Sequence, residues 1–359
     1  MNKQFGEDKI IILLGAGASC DAGMRNSTQM ITDIEFLLKG EWASFKDLYN
    51  YIQSSHYHLE RIKGVDSKAI MFNIENLVGL LNVIINISEK KVDVYPFIGS
   101  WEKELLVVAG QKLELAVKFK EEILSKLKNN WLSPDDFKRK SAYYKKLKET
   151  GYTMPLRIFS LNYDMCVEEN LGMENIERGF GEDKIWDYRR YEPSQEQEIS
   201  YFLYKLHGSL DWKRNTQNRL TYSDSISSIN PLNMEIIFGV QNKLQSYDPY
   251  LFYFYAFREA CIRSELIVVS GYGFYDQHIN DNLSSAIELD PAKRILVNVY
   301  EGDNFDQGLY VKKISALLKI DPKNIIVQNC YAQEFFNNCL NLEYFSSLFP
   351  DGDNENILP

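Results

Sequence analysis

The sequence has 359 residues, of which 45% are hydrophobic and 25% charged, and its formal net charge is −10. These proportions are typical of a globular chain with a sizeable core and not of a disordered one. An acidic chain is a poor candidate for binding nucleic acid directly, because neutralising phosphates requires clustered Lys and Arg. Its five cysteines form no C-x-x-C pair, which argues against a structural zinc site and against a disulfide framework.

The first predicted element is a strand at residues 9–14, KIIILL, a continuous apolar run typical of a strand buried on both faces. Glycines follow it directly, and we expect a helix to begin near Asp21 or Ser27, as in a dinucleotide-binding unit. The run is too short for a signal peptide, and no other stretch reaches membrane length. We therefore expect a cytoplasmic protein without membrane contact.

Residues 28–150 show a different pattern. Apolar residues recur at helical spacing in Ile31–Leu38, Phe72–Ile87 and Glu104–Trp131, whereas strand signals are scarce. This pattern predicts a large, mostly helical insertion at 28–150. Its role, whether packing against the sheet, assembly or gating of a pocket, is left open by the sequence.

Strand patterns return after residue 151 and alternate with helical stretches. The predicted strands are Leu156–Leu161, Ser200–Leu206, Met234–Phe238, Glu265–Ser270, Arg294–Tyr300 and Asn324–Val327. This alternation predicts an α/β fold, a Rossmann-like open parallel sheet with helices on both faces. The predicted domains are 1–27 plus 151–346 for the nucleotide-binding sheet, 28–150 for the insertion, and 347–359 for a polar C-terminal tail.

Two short motifs follow the first two strands, at the sheet edge where open α/β proteins bind ligands. The glycines of Gly15–Ser19, GAGAS, would let backbone N–H groups approach a pyrophosphate, or they form only a tight turn. Asn162 and Asp164 lie in S-L-N-Y-D after LRIF. They contact a ligand, or they cap the next helix.

Two further motifs follow later strands. His207 lies next to Gly208 in L-H-G, and it is either a general base or a buried, hydrogen-bonded core histidine. Gly271–Phe274, GYGF, is a second glycine-rich turn suited to phosphate or ribose contact. Asp276 just beyond it would also serve as the N-cap of the next helix.

In the order GAGAS, N-Y-D, L-H-G and G-Y-G-F, the chain resembles the sirtuin family, and most closely the prokaryotic sirtuin-like NADases of antiphage defence. The resemblance covers residues 5–27 and 151–346. It implies that NAD is the substrate, that Asn162 orients the nicotinamide ribose and a water, and that His207 is a base. It also implies that Asp164 holds the nicotinamide carboxamide.

The resemblance further implies contacts with the rest of NAD: the pyrophosphate with Gly15, Ala16, Gly17 and Ser19, the adenosine side with Gly271 and Gly273, and the adenosine ribose with Glu301. No metal is implied.

The chain departs from deacylating sirtuins in two places. Its cysteines cannot form the four-cysteine zinc module of those enzymes, and residues 24–29, MRNSTQ, do not match their acidic–Phe–Arg stretch. The resemblance therefore implies water as the acceptor and an NAD hydrolase that releases nicotinamide and ADP-ribose. It also implies a homo-oligomer activated by assembly or by a partner such as a HerA-like ring ATPase. The alternatives are a silent NAD or ADP-ribose sensor or scaffold, or else a deacylase or ADP-ribosyltransferase.

Overall fold

The computed structural model describes residues 6, 8–67, 70–88, 99–110, 113–148, 155–192, 199–238 and 247–349. The predicted tail at 347–359 lies outside the described residues from residue 350 onward. The strands of the described part are β1 Ile10–Leu14, β2 Leu156–Ser160, β3 Ile176–Glu177, β4 Tyr201–Lys205, β5 Gly208–Arg214, β6 Leu220–Tyr222, β7 Met234–Ile236, β8 Leu266–Ser270, β9 Arg294–Val299 and β10 Ile325–Asn329.

Seven of these strands form the main sheet, in the order β10-β9-β8-β1-β2-β4-β3. Every strand pair in it is parallel. Successive side chains of a strand point to opposite faces, and β1 divides accordingly. Ile10, Ile12 and Leu14 belong to one hydrophobic core, and Ile11 and Leu13 to a second core on the other face.

Helices cover both faces of this sheet, so the predicted open parallel fold is confirmed. They are α1 Ser27–Leu37, α2 Lys46–Ile62, α3 Ile74–Ser88, α4 Gly99–Ala109, α5 Glu114–Lys126, α6 Phe137–Lys140, α7 Cys166–Leu171, α8 Tyr250–Arg263, α9 Gln277–Leu289, α10 Gln307–Leu318, α11 Ala332–Asn338 and α12 Leu342–Ser347. The helices α8, α9 and α10 share the core of Ile11 and Leu13. The helices α7, α11 and α12 share the other core with α1–α5.

The stretch between β1 and β2 differs in detail from the sequence prediction. The predicted segment Glu104–Trp131 contains two helices, because α4 ends before Gly110, whose φ of +82° is a left-handed conformation. The helix α2 was not predicted. A π-helical turn, Leu127–Trp131, follows α5, and a 3-10 helix, Ser141–Lys148, precedes β2. Among the described residues, no helix is long and apolar enough to cross a membrane.

A second sheet was missed by the sequence analysis. It is antiparallel and three-stranded, in the order β6-β5-β7, and it contains the predicted strand at Met234. Its long strand β5 begins at Gly208, next to His207. Arg178 directly follows β3 of the main sheet, and its buried guanidinium contacts the second sheet. Its Nη1 is 2.9 Å from Asp211 Oδ2 on β5 and 3.3 Å from Glu168 Oε1 on α7.

Candidate functional site

The predicted motifs meet at one edge of the main sheet. The strands β8, β1, β2 and β4 are neighbours and parallel, so their carboxyl ends lie side by side. The strand β1 has β2, the next strand along the chain, on one side and β8, a much later strand, on the other, so the strand order reverses at β1. Such a switch point is where open α/β sheets form a ligand crevice.

Two glycine-rich turns pack directly against each other at this crevice. The N–H of Gly17 donates to the Gly271 carbonyl at 2.9 Å. A Cβ on Gly15 would lie 2.6 Å from the same oxygen, and a Cβ on Gly271, whose φ is +67°, would lie 1.9 Å from the Ala18 nitrogen. The glycines are therefore required by the contact between the turns. Ala16, between Gly15 and Gly17, is exposed.

The first turn is also more compact than expected. GAGAS is not a loop before a distant helix, because residues Ala16–Ala22 form a 3-10 helix with Gly15 as its N-cap. The helix α1 then begins at Ser27, one of the two predicted positions. Its Asn26 and Gln29 cap each other reciprocally in a capping box.

Asn162 is buried, and its side-chain amide has a defined orientation. Nδ2 donates to the Gly15 carbonyl at 2.9 Å and to Ser19 Oγ at 3.3 Å. Because the Gly15 carbonyl can only accept a hydrogen bond, the NH₂ group must point toward it. Both amide hydrogens are thus used, and Oδ1 is the atom that remains to accept a hydrogen bond from a ligand.

The Ser19 side chain is completely buried and lies inside this arrangement. Its Oγ is 3.0 Å from the hydroxyl of Tyr144, in the 3-10 helix that precedes β2. The neighbouring Tyr143 hydroxyl donates to the Ala18 carbonyl at 2.6 Å. The helical stretch therefore contacts the GAGAS turn twice. Contact between Ser19 and a pyrophosphate stays a prediction.

Asp164 contacts the start of α7, although the N-cap residue of that helix is Met165. Asp164 Oδ1 accepts from the Cys166 N–H at 3.0 Å, at the first residue of α7. The Asp164 carbonyl also accepts a hydrogen bond from the buried ammonium of Lys205. The side chain is 4% exposed. Its contact with the nicotinamide carboxamide stays a prediction.

His207 is 5% exposed and lies beside a carboxylate. Its Nε2 is 3.2 Å from Asp276 Oδ2. An ionised carboxylate can only accept, so Nε2 carries the hydrogen and Nδ1 has the lone pair in the neutral ring. Asp276 Oδ1 accepts from the His278 N–H at 3.1 Å, so the predicted N-cap of α9 is present as well.

The residues predicted for the adenosine side lie further along the same edge. Gly273 and Glu301 are exposed, and Glu301 follows β9 with its N–H donating to Asn329 Oδ1 at 3.0 Å. Burial raises the pKa of Tyr275, and it raises the pKa of Tyr310 to about 12; the Glu301 carboxylate adds to both shifts. Glu301 thus lies near the turn that contains Gly273.

Burial dominates the ionisation of the thiols near the site. Desolvation raises the pKa of Cys20 to about 11, and it raises the pKa of Cys166 well above its usual value. Among the described residues, no group of His, Cys, Asp and Glu side chains is arranged to hold a metal ion.

The sequence analysis missed three contributors to this site. Tyr144 contacts Ser19 across 125 residues, and no local motif marks it. Asp276 was considered only as a helix cap, although its position just after GYGF was a usable signal. Asn298, at the end of β9, accepts from Ser270 Oγ at 2.8 Å and supports the second glycine turn.

Residues 156–317 match the sequence profile of the family described as SIR2-like domain. This part of the chain, from β2 into α10, therefore has a sirtuin-like fold and includes Asn162, His207 and the second glycine turn. The match does not extend to GAGAS. A comparison with curated protein sequences gave no match.

Among solved structures, one similar to this chain is a Sir2 homologue complexed with NAD, at 13% identity, covering 94% of this chain and 89% of that chain, with a TM-score of 0.41. Another is a mutant Sir2 homologue complexed with ADP-ribose, at 15% identity, covering 94% of this chain and 92% of that chain, with a TM-score of 0.43.

Proposed function

We propose that this protein is an NAD hydrolase that cleaves the nicotinamide–ribose bond and releases nicotinamide and ADP-ribose. The observation that carries the proposal is the pair Asn162 and His207. Both are buried at the carboxyl ends of adjacent parallel strands, one presenting Oδ1 as an acceptor and the other beside a carboxylate. Both lie within the match to the SIR2-like domain, which supports the proposal.

The reaction needs only positioning and one base. The bond between the ribose C1′ and the nicotinamide nitrogen breaks, and its electron pair leaves with neutral nicotinamide. A water oxygen then bonds to C1′, and His207 accepts the proton that this water loses. Orientation of reactants by fixed groups supplies a large part of such a rate enhancement.

Asn162 and Asp164 have distinct roles in the proposal. Asn162 Oδ1 accepts a hydrogen bond from a ribose hydroxyl or from the water, because its amide hydrogens are already used. Asp164 Oδ1 accepts from the Cys166 N–H, so the proposal gives the nicotinamide carboxamide to Oδ2.

The remaining contacts follow the sheet edge. Gly15, Ala16, Gly17 and Ser19 serve the pyrophosphate, Gly271 and Gly273 the adenosine side, and Glu301 the adenosine ribose. The exposed Ala16, between two glycines that pack closely on the neighbouring turn, is consistent with a backbone surface open to a phosphate.

The proposed biological role is that of a cytoplasmic antiphage-defence effector. We infer a homo-oligomer that is silent until it assembles or meets a partner, and a HerA-like ring ATPase is the partner that we propose. The proposed domains are 1–27 plus 151–346 for NAD binding, 28–150 for the helical insertion, and 347–359 for the tail. These proposals rest on the motif resemblance alone.

The test is nicotinamide release from NAD by the wild type, His207→Ala and Asn162→Ala, each alone and in a co-purified complex. We expect each substitution to lower turnover about 100-fold or more, the usual contribution of a general base. His58→Ala, which removes an exposed imidazole from α2, is the matched control and should leave turnover unchanged. An acetyl-lysine peptide is added in a parallel reaction.

Each outcome selects one function. Release that needs both Asn162 and His207 and no peptide supports the hydrolase. Product that forms only with peptide would favour a deacylase, and transfer to protein would favour an ADP-ribosyltransferase. Tight NAD binding without release under any condition would make the chain a sensor or scaffold.

A further inference from the structure

The orientation of Asn162 depends on a residue outside the SIR2-like domain match. Of the two acceptors that fix its amide, one is the Gly15 carbonyl and the other is the Ser19 hydroxyl. A backbone carbonyl at a packed turn is held by the fold. The Ser19 hydroxyl can rotate about its side-chain bond, so its direction has to be set by another partner.

That partner is Tyr144. Its hydroxyl lies 3.0 Å from Ser19 Oγ, and its side chain is fully buried. The ring packs in an aromatic cluster, with its centroid 4.9 Å from that of Tyr143 and 5.0 Å from that of Phe336, which also contact each other. Because the side chain is fully buried in this cluster, the ring is held in place and its hydroxyl gives Ser19 a fixed hydrogen-bonding direction.

We propose that Tyr144 is a positioning residue that acts through Ser19 to hold the Asn162 amide with Oδ1 toward the ligand. The helical stretch between β1 and β2 thereby contributes to the orientation of Asn162. The inference rests on the proposed NAD hydrolysis for its kinetic test. Its structural content, a hydrogen-bonded chain from Tyr144 to Asn162, is independent of turnover.

The geometry predicts how the effect divides between binding and turnover. The Tyr144 side chain is fully buried, so removing its hydroxyl deletes no surface for NAD. It removes one hydrogen-bond partner of Ser19, whose hydroxyl also interacts with the Cys166 thiol, and so loosens one of the two acceptors that orient Asn162. Loss of one buried hydrogen bond corresponds to about a 10-fold change, which should appear in kcat and not in KM.

The decisive variant is Tyr144→Phe, which keeps the packed ring and removes only the hydroxyl. Its matched control is Tyr49→Phe, since Tyr49 is equally buried in α2 and its hydroxyl donates to Glu35 at 2.8 Å, outside this chain of contacts. We expect kcat to fall about 10-fold in Tyr144→Phe, with KM and the ADP-ribose Kd within twofold of wild type. Tyr49→Phe should retain the wild-type kcat.

Ser19→Ala and the double variant Ser19→Ala with Tyr144→Phe test whether Tyr144 acts through Ser19. If Tyr144 acts through Ser19, the double variant should be no slower than Ser19→Ala alone. A wild-type kcat in Tyr144→Phe, or losses that multiply in the double variant, would overturn the proposal.

A second measurement separates this inference from the proposed function. In protein labelled with ¹⁵N-asparagine, the Asn162 side-chain NH₂ signal is identified by its disappearance in Asn162→Ala. A shift of that signal in Tyr144→Phe but not in Tyr49→Phe supports the positioning role even if the wild type releases no nicotinamide. An unchanged signal in Tyr144→Phe rejects the role, whatever the activity.

Discussion

His207 and Asp276 are joined by a hydrogen bond between residues 69 positions apart, with Nε2 3.2 Å from Oδ2. The carboxylate is itself firmly held. Its other oxygen caps α9 through the His278 N–H, and the backbone nitrogen and oxygen of Asp276 lie 3.1 and 3.0 Å from the Tyr272 hydroxyl. The segment that follows the second glycine-rich turn thus supplies a fixed carboxylate for the proposed base, His207.

Asp276→Asn should lower turnover. Asparagine retains the cap of α9 through Oδ1, but its NH₂ group then faces His207 Nε2, where the carboxylate accepted a hydrogen bond. The ring is then held with its hydrogen on Nδ1 and cannot accept a proton there, so we expect kcat to fall about 100-fold.

Turnover is measured with Glu75→Gln as the control, because burial raises the pKa of Tyr163 and the pKa of Tyr272 and the Glu75 charge adds to both shifts, as does that of Asp276. Equal turnover for wild type and Asp276→Asn would show that the carboxylate does not orient His207.

Gly271→Ala should destabilise the fold. The new Cβ would lie 1.9 Å from the Ala18 nitrogen and would occupy a φ of +67°. Gly64→Ala is the control for backbone strain alone, because Gly64 has a φ of +85° but no atom lies within 4 Å of a Cβ added there. We expect a loss above about 2 kcal/mol for Gly271→Ala and about 1 kcal/mol for Gly64→Ala, measured by urea unfolding. Equal losses would mean that the two turns do not pack as described.

Arg178→Met should be more damaging than the loss of a surface ion pair. Burial alone would lower the pKa of Arg178, but Asp211 and Glu168 raise it above its usual value, so the guanidinium stays charged. Its removal leaves two buried carboxylates without this partner, at a cost of about 3–5 kcal/mol. Lys184→Met, which breaks an exposed pair with Asp224, should leave the unfolding midpoint unchanged. Equal midpoints for both variants would contradict this account.

Cys20 and Cys330 should react slowly with iodoacetamide in the folded protein. Burial raises the pKa of each thiol from 9.0 to about 11, and only the thiolate is alkylated. At pH 8 the thiolate fraction is therefore about 100-fold smaller than in the unfolded chain. Mass spectrometry of each peptide, with and without urea, measures both rates. Fast labelling of folded Cys20 would show that its environment is more open than described.

The main sheet could be predicted because its strands are apolar runs rich in Ile, Val and Leu. The strand β5 could not be recognised in the same way. Its Ser209 and Asp211 are polar yet buried, with Asp211 paired to Arg178, so the sequence there has the appearance of a loop. The two-residue strand β3 carries too little pattern to detect.

Some residues of the candidate site could likewise be predicted from the sequence, and others could not. Asn162 and His207 could be selected because each follows a predicted strand, and parallel strands end at one edge. Tyr144 lies in a helical stretch, and its contact with Ser19 depends on how that stretch packs over the turn. No periodicity or motif encodes such a contact, so only the three-dimensional structure reveals it.

The central place of β1 has a consequence for synthesis of the chain. This strand is made first, but its register partners are Arg157 on one side and Leu266 on the other. A ribosome-bound fragment that ends before residue 266 therefore carries an apolar strand with an open edge, which is prone to aggregation. Stalled nascent chains of that length should be cut by protease near β1. The crevice is then completed only after β8 has been made.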